Sequence, residues 1–199
     1  MRKYACRFLA AVTAAAALAG LTGCADEPDT ELYFVGDSLV EFWDVDRTCP
    51  ALRFRNYGLA GAGIAYLGEL GGRVAGKDVV LLIGTNDAWR IVSDGAEDYS
   101  DRYIAAVNGL RARKIYMYSV LPRTVDTDAA EHRVAISAFN SLTRRRLAEF
   151  DCEVVYIDVY DRFLADSEGN INPALSPDGI HLNSYGYEIL TEELWKNLK

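Results

Sequence analysis

Histidine and cysteine are scarce in this chain of 199 residues, which has two of the first and four of the second. No cluster of histidine, cysteine and acidic residues has the spacing of metal ligands, so we expect no metal site and no cofactor. Basic residues are also few, 21 against 29 acidic ones, which gives a formal net charge of −8. Because nucleic acids and anionic membranes attract positive charge, neither is expected as a charge-driven partner.

The sequence also has no internal repeat, no low-complexity segment and no sign of a second domain. Hydrophobic residues make up 50% of the chain, which is enough for one compact domain with a full core. We expect this domain to span residues 31–199 and to act as a monomer.

Residues 1–23 have the layout of an export signal. Basic residues and no acidic one precede an apolar stretch, residues 8–21, which is too short to span a bilayer comfortably. The stretch leads into Leu-Thr-Gly-Cys at 21–24. This resembles the lipobox of bacterial lipoproteins, in which the chain is cleaved before the cysteine and lipid is added to its thiol.

We therefore expect Cys24 to carry lipid and to attach the protein to a membrane of the cell envelope, with residues 24–30 as a tether. In such lipoproteins an aspartate after the cysteine favours the inner membrane. Here Ala25 follows, which favours the outer membrane or the cell surface. An ordinary secretory signal with a chance cysteine is the alternative.

From residue 32 onward, short apolar runs alternate with stretches of helical periodicity. The runs predict buried strands at 32–35, 52–57, 79–83, 115–120 and 154–159. The stretches between and after them carry apolar stripes, which predict helices with one face toward a core. Buried strands that alternate with helices predict a parallel sheet covered on both sides, an α/β/α sandwich. In such folds ligands bind beyond the carboxyl ends of the strands.

The first predicted strand ends in Gly-Asp-Ser at 36–38, where a helix can begin. A serine at such a corner has its hydroxyl above the sheet edge, which suits a nucleophile. The usual Gly-x-Ser-x-Gly elbow is absent, because Val40 stands where its second glycine would be. Simple capping of a helix by Asp37 or Ser38 is the alternative.

Small or polar clusters also follow the other predicted strands. They are Asn-Tyr-Gly-Leu-Ala-Gly at 56–61, Gly-Thr-Asn-Asp at 84–87, Leu-Pro-Arg at 121–123 and, well after the fifth strand, Asp-Gly-Ile-His at 178–181. All of them fall on one edge of the predicted sheet, which independent capping residues need not do.

A serine that cleaves esters needs a base near neutral pH, and histidine is the usual one. His132 stands among charged residues and is expected on the surface. His181 follows Asp178 by three residues in a loop. One turn would let the Asp178 carboxylate hold the imidazole N–H and leave the other ring nitrogen to face Ser38. A turn with a capping role is the alternative for this pair.

With these motifs the chain resembles the SGNH hydrolases, also called the GDSL esterase and lipase family. The family's four motif blocks stand in order and cover nearly the whole predicted domain. The resemblance implies a serine ester hydrolase with Ser38, Asp178 and His181 as catalytic residues, on a sheet of flavodoxin-like strand order 2-1-3-4-5. It also implies three donors to an oxyanion, namely the backbone N–H groups of Ser38 and Gly61 and the side-chain amide of Asn86.

Other interpretations of these residues remain open. Asn86 is also typical of a turn with left-handed backbone geometry. Gly-Ala-Gly at 61–63 hints at a dinucleotide loop, although Tyr66 stands at its third glycine position. The protein could also be a glycan-binding module that has the motifs but no turnover.

The family cleaves many esters and thioesters, so the fold does not identify the substrate. A small open site without an inserted lid favours short acyl groups, such as acetyl on a glycan. A lysophospholipase or acyl thioesterase is the alternative, and Phe42, Trp43 and Trp89 are candidates for the apolar groove that it needs. Packing in the core explains Phe42 and Trp43 equally well. Arg90 and Arg123 follow strand ends and are, with Trp89, candidate substrate-binding residues, the arginines for a carboxylate or phosphate.

We expect no disulfide between Cys49 and Cys152. In the implied strand order they precede the second and fifth strands, at opposite edges of the sheet. Four strand spacings of about 4.8 Å separate these edges by roughly 19 Å, whereas a bridge needs Cα atoms within about 7 Å.

Overall fold

The computed structural model describes residues 31–125 and 130–198, and within these ranges the chain forms a five-stranded parallel sheet. The strands are β1 (Leu32–Gly36), β2 (Phe54–Gly58), β3 (Asp78–Leu82), β4 (Lys114–Tyr118) and β5 (Glu153–Ile157). Their order in the sheet is β2-β1-β3-β4-β5, and all neighbouring strands run parallel. The predicted α/β fold and strand order are confirmed. The predicted signal, Cys24 and the tether lie outside the described residues.

Helices cover both faces of the sheet. They are α1 (Ser38–Glu41), α2 (Val45–Thr48), α3 (Gly71–Val74), α4 (Ala88–Asp94), α5 (Ala96–Asn108), α6 (Ala130–Arg145) and α7 (Ser184–Asn197). Short 3-10 turns occupy Ile64–Glu69, Thr85–Asp87, Leu147–Glu149 and Tyr160–Phe163. Within residues 31–125 and 130–198, none of the helices combines the length and the apolar character needed to cross a membrane.

The sheet separates two hydrophobic cores, because successive side chains of a strand point to opposite faces. In β1, Leu32 and Phe34 pack with α1, α2 and α7, whereas Tyr33 and Val35 pack with α3 to α6. All four side chains are buried, so β1 is covered on both faces. This explains why the strand is a continuous apolar run rather than an alternation of polar and apolar residues.

The two cysteines of the described domain lie on opposite sides of this sheet. Cys49 is buried in the core beneath α7, and Cys152 packs against the core on the other face. Both are free thiols. The predicted absence of a disulfide between them is confirmed.

The carboxyl ends of three strands meet at one edge of the sheet. Gly36 at the end of β1 is in register with Gly58 of β2 and with Leu82 of β3. A Cβ atom on Gly36 would lie 2.1 Å from the carbonyl oxygen of Leu82, so only glycine lets the chain turn here into α1. The segments that follow these three strands are thereby brought together at this edge.

Candidate active site

Two hydrogen bonds connect a serine, a histidine and an aspartate at this edge. The Oγ atom of Ser38 lies 3.0 Å from Nε2 of His181. The Nδ1 atom of the same ring lies 2.7 Å from Oδ2 of Asp178. This geometry allows the imidazole to accept the serine proton while the carboxylate orients the ring.

Ser38 is the first residue of α1, and Asp37 caps this helix. Oδ1 of Asp37 accepts the backbone N–H of Leu39 at 3.0 Å. Capping and the candidate nucleophile therefore fall on adjacent residues rather than being alternatives. Asp37 is fully buried, and this burial raises the pKa of its carboxyl to about 7, against the opposing effect of backbone N–H groups.

Asp178 and His181 belong to one compact turn. Oδ1 of Asp178 accepts the backbone N–H groups of Ile180 at 3.0 Å and His181 at 2.7 Å. Desolvation acts to raise the pKa of Asp178, but the bonds from the His181 ring and these N–H groups prevail and lower it to about 2. The turn foreseen as the alternative thus exists and presents the histidine to Ser38, but it caps no helix, because Asn183 is the N-cap of α7.

The turn is attached to the rest of the domain through Thr124. The backbone N–H of Thr124 donates to the carbonyl oxygen of Gly179 at 2.8 Å. Gly179 has a φ of 81°, and a Cβ atom there would meet the Thr124 carbonyl oxygen at 1.6 Å. Only glycine therefore fits this close crossing.

The three expected oxyanion donors lie on the segments that follow β1, β2 and β3. Among the described residues, the backbone N–H groups of Ser38 and Gly61 donate to no other residue. The Asn86 amide donates one proton to the carbonyl oxygen of Ala62 at 2.9 Å, which leaves its second proton for a ligand. Gly61 and Asn86 line the same cavity, of about 520 Å³.

The structure excludes two of the alternative interpretations. Asn86 lies in the 3-10 turn Thr85–Asp87 with a negative φ, so its interpretation as a left-handed turn residue is wrong. Gly-Ala-Gly at 61–63 leads into the short 3-10 turn Ile64–Glu69 rather than an α-helix. The structure therefore lacks, at this point, the helix N-terminus that a dinucleotide loop requires.

The candidate substrate-binding residues separate into two groups. Trp89 and Arg90 line the cavity beside Gly61 and Asn86. Arg123 is absent from this lining, and its Nη1 atom donates to the backbone carbonyl of Thr85 at 2.6 Å. Within the part of the chain that the structure describes, no group of three histidine, cysteine or acidic side chains is placed to hold a metal ion.

A model described as the GDSL-like Lipase/Acylhydrolase family matches residues 34–189 of this chain. The chain belongs to this family. This family agrees with the sequence-based expectation of a hydrolase.

The chain is also 30% identical, over 184 residues, to an N-acylneuraminate cytidylyltransferase from Escherichia coli O18:K1:H7. That alignment covers 85% of this chain but only 41% of the relative, so the chain spans less than half of the relative's length.

Two solved structures with this fold illustrate the structural similarity. A GDSL-like lipase from Bacteroides thetaiotaomicron has a TM-score of 0.64 and 22% identity, covering 85% of this chain and 87% of the other. An acetylxylan esterase from Geobacillus stearothermophilus has a TM-score of 0.61 and 17% identity, covering 85% of this chain and 94% of the other. At these identities the likeness shows the fold alone.

Two side chains of this acylhydrolase, neither of which has a role predicted from the sequence, hold the segment around Gly61. Oε2 of Glu41, at the end of α1, accepts the backbone N–H of Ala60 at 2.6 Å. Oδ2 of Asp87, which is buried, accepts the backbone N–H of Ile64 at 2.7 Å. Asp87 stands in a recognised motif, whereas no sequence pattern distinguishes Glu41 from a solvated acid.

The two neighbouring aromatic residues Phe42 and Trp43 point in different directions. Phe42 is 52% exposed, and its ring centroid lies 5.4 Å from that of His181. Trp43 points the other way, is buried in the core, and donates from Nε1 to Thr191 at 3.2 Å. Trp43 is therefore a core residue and is excluded from any groove at the site. His132, expected on the surface, is half-buried on α6.

Proposed function

We propose that this acylhydrolase is a serine esterase that removes short acyl groups, above all acetyl, from a carbohydrate. The observation that carries the proposal is the pair of hydrogen bonds that runs from Asp178 through His181 to Ser38. Catalysis by such an arrangement needs donors for the developing oxyanion. The N–H groups of Ser38 and Gly61, which donate to none of the residues that the structure describes, are present at the same sheet edge.

The proposed reaction proceeds in two steps. In the first, His181 takes the proton of Ser38 as Oγ attacks the ester carbonyl, and it then gives this proton to the leaving alcohol. In the second, His181 takes a proton from water as the water oxygen attacks the acyl-enzyme, and it then gives this proton to Oγ of Ser38 as the acid leaves. In both steps the N–H groups of Ser38 and Gly61 and the Asn86 amide donate to the oxyanion.

The cavity supports a short acyl group on a polar alcohol. Its lining is mixed, with the polar side chains of Asn86 and Arg90 beside the indole of Trp89, which is 53% exposed. An exposed aromatic face with polar groups around it suits a sugar ring better than a long alkyl chain. The comparisons agree with a carbohydrate, since one structure with this fold is an acetylxylan esterase and the Escherichia coli relative is named for N-acylneuraminate, a sugar acid.

Hydrolysis of aryl esters of increasing acyl length tests this proposal. We expect kcat/KM to be highest for acetyl and to fall steeply beyond about four carbons. Burial of one methylene group contributes about 0.8 kcal/mol, and no lid or tunnel is present in the described residues to bury the longer chain. Ser38→Ala is the control and should be inactive on every ester. Acetylated oligosaccharides should then release acetate with the wild-type protein only. Absence of turnover in the wild type would support the glycan-binding module instead.

A lysophospholipase or acyl thioesterase is the second candidate. It is favoured by the exposed apolar side chains of Phe42 and Leu59, which lie beside His181 and just before Gly61. A long acyl chain would cover them from water. A rate maximum at about eight carbons or more would favour this candidate and contradict the acetyl proposal.

We also propose that Cys24 is lipidated and anchors the enzyme in the cell envelope, with the outer membrane or the cell surface as the favoured location. The support is the order of charged, apolar and Leu-Thr-Gly-Cys segments in the sequence. Labelling of bacteria that express the full chain with a radioactive fatty acid should mark the protein, and Cys24→Ser should abolish the label. A labelled variant, or an unlabelled wild type, would contradict the proposal.

A further inference from the structure

The cavity beside the oxyanion donors carries two cationic side chains. Gly61 and Asn86 form part of its lining, and Arg90 and Arg102 form another part. The only acidic side chain in that described lining is Asp87, which is buried. The lining therefore brings two guanidinium groups next to the proposed reaction centre, in a chain of net charge −8.

Arg90 is held in place by two neighbours. Its Nε atom lies 3.5 Å from Oδ1 of Asp87, and its guanidinium carbon lies 4.4 Å from the centroid of the Trp89 ring. Asp87 is itself fixed, because its Oδ2 accepts the N–H of Ile64 at 2.7 Å and the hydroxyl of Tyr99 at 3.1 Å. A stacked and paired guanidinium loses less conformational freedom on binding a ligand than a free surface arginine would.

The remaining edge of Arg90 is available to a ligand. Among the described residues, its two terminal amino groups donate no hydrogen bond, and the side chain is 49% exposed. Two parallel N–H groups match the two oxygens of a carboxylate. Arg102 differs from Arg90, because its guanidinium is already paired with Asp94. Arg102 therefore offers a ligand fewer free N–H donors than Arg90 does.

We infer that this cavity binds a carboxylate of the substrate through Arg90, so that the preferred esters are acidic. The inference rests on the proposed esterase function and names its substrate class. The carboxylate belongs either to the sugar, as in an acetylated sugar acid, or to the acyl group, as in a half-ester of a dicarboxylic acid. A negatively charged substrate is otherwise disfavoured by an acidic protein, so a dedicated cation at the site is needed to retain it.

Two matched pairs of esters test the inference and distinguish the two sources. The first pair is acetylated methyl glucuronide and acetylated methyl glucoside, which differ at the sugar. The second is the aryl hemisuccinate and the aryl butyrate, which differ at the acyl group. We expect the wild type to prefer the acidic member in one pair, measured as the ratio of the two kcat/KM values. The pair that shows the preference locates the carboxylate.

Substitution of Arg90 should then remove the preference. In Arg90→Gln the ratio should fall by about ten- to a hundred-fold, as expected for a lost hydrogen-bonded charge. Arg90→Lys keeps the positive charge but lacks the two parallel donors, so its ratio should lie between those of the wild type and Arg90→Gln. The matched control is Arg144→Gln, because Arg144 is an exposed arginine paired with Asp158 at 3.1 Å and lies outside the cavity. Its ratio should equal that of the wild type.

The outcomes separate this inference from the proposed function. An active wild type without preference in either pair, or an Arg90→Gln ratio equal to that of Arg144→Gln, overturns the inference and leaves the esterase proposal intact. A wild type that turns over no ester overturns the esterase proposal. Calorimetry of the two sugars with Ser38→Ala then decides the inference: tighter binding of the acidic sugar, lost in the double variant with Arg90→Gln, supports it, and equal binding overturns it.

Discussion

Asp37 makes the stability of this enzyme depend on pH in the neutral range. Burial raises its pKa from the ordinary value of 3.8 to about 7, so between these values the unfolded chain has released a proton that the folded protein keeps. Since the unfolded state binds fewer protons there, the free energy of unfolding falls as pH rises from about 4 to about 7 and is constant above that. The full shift corresponds to about 4 kcal/mol.

The substitution Asp37→Asn removes this titration and keeps a side-chain oxygen for the Leu39 N–H. From the pKa of about 7, the wild type should lose about 3 kcal/mol from this group between pH 5 and pH 8. The stability of Asp37→Asn relative to the wild type should therefore rise by about 3 kcal/mol over this range. Groups that titrate in both proteins cancel in the comparison.

Urea unfolding of both proteins at a series of pH values measures this difference. The control is Asp46→Asn, because Asp46 is an exposed aspartate on the neighbouring helix α2. Its stability relative to the wild type should not change with pH in this range. If the free energy of unfolding of Asp37→Asn relative to the wild type is the same at pH 5 and pH 8, Asp37 does not titrate between these values. That result would refute the argument from burial.

Three further predictions concern activity. His181→Ala should abolish ester hydrolysis and His132→Ala should retain most of it, and the reverse result in an esterase assay would contradict the assignment of the base. Asn86→Ala should lower kcat by about 10²–10³ with KM little changed, and Asn86→Asp should be lower still at neutral pH, because a carboxylate repels the oxyanion. Glu41→Ala should lower kcat by about ten-fold, because the Ala60 N–H loses its acceptor. Glu41→Gln keeps an acceptor oxygen and should have a kcat near that of the wild type. If both variants lose kcat equally, the negative charge of Glu41 matters and not its hydrogen bond.

The layers and the strand order could be predicted because burial leaves a direct trace in the sequence. Strand β1 is covered on both faces, and it is accordingly apolar at every position from Leu32 to Val35. The stretch between β2 and β3, predicted as a helix from its apolar stripe, is instead a 3-10 turn followed by the short α3, although Leu67 and Val74 face the core. Glycines within that stretch lower its helix propensity, and the apolar spacing does not report this.

The candidate site was predictable only where residue type implies chemistry. Ser38, Asp178 and His181 stand in short motifs, and the structure brings them within hydrogen-bonding distance. The bond from Ala60 to Glu41 joins residues 19 positions apart and depends on how α1 packs against β2, which no periodicity reports. Arg123 is the opposite case. It was a candidate substrate-binding residue because it follows a strand end, but its side chain donates to the backbone carbonyl of Thr85.

The turn that carries Asp178 and His181 fixes the positions of the acid and the base relative to each other. Both residues belong to a single unit, which the Thr124–Gly179 crossing joins to the domain. The 2.7 Å contact between acid and base is therefore set within the turn, because the same carboxylate also accepts the backbone N–H groups of Ile180 and His181. The 3.0 Å separation between His181 and Ser38 depends instead on how the turn packs against the domain. Orientation of the base and its reach to the nucleophile are thus determined by two different parts of the structure.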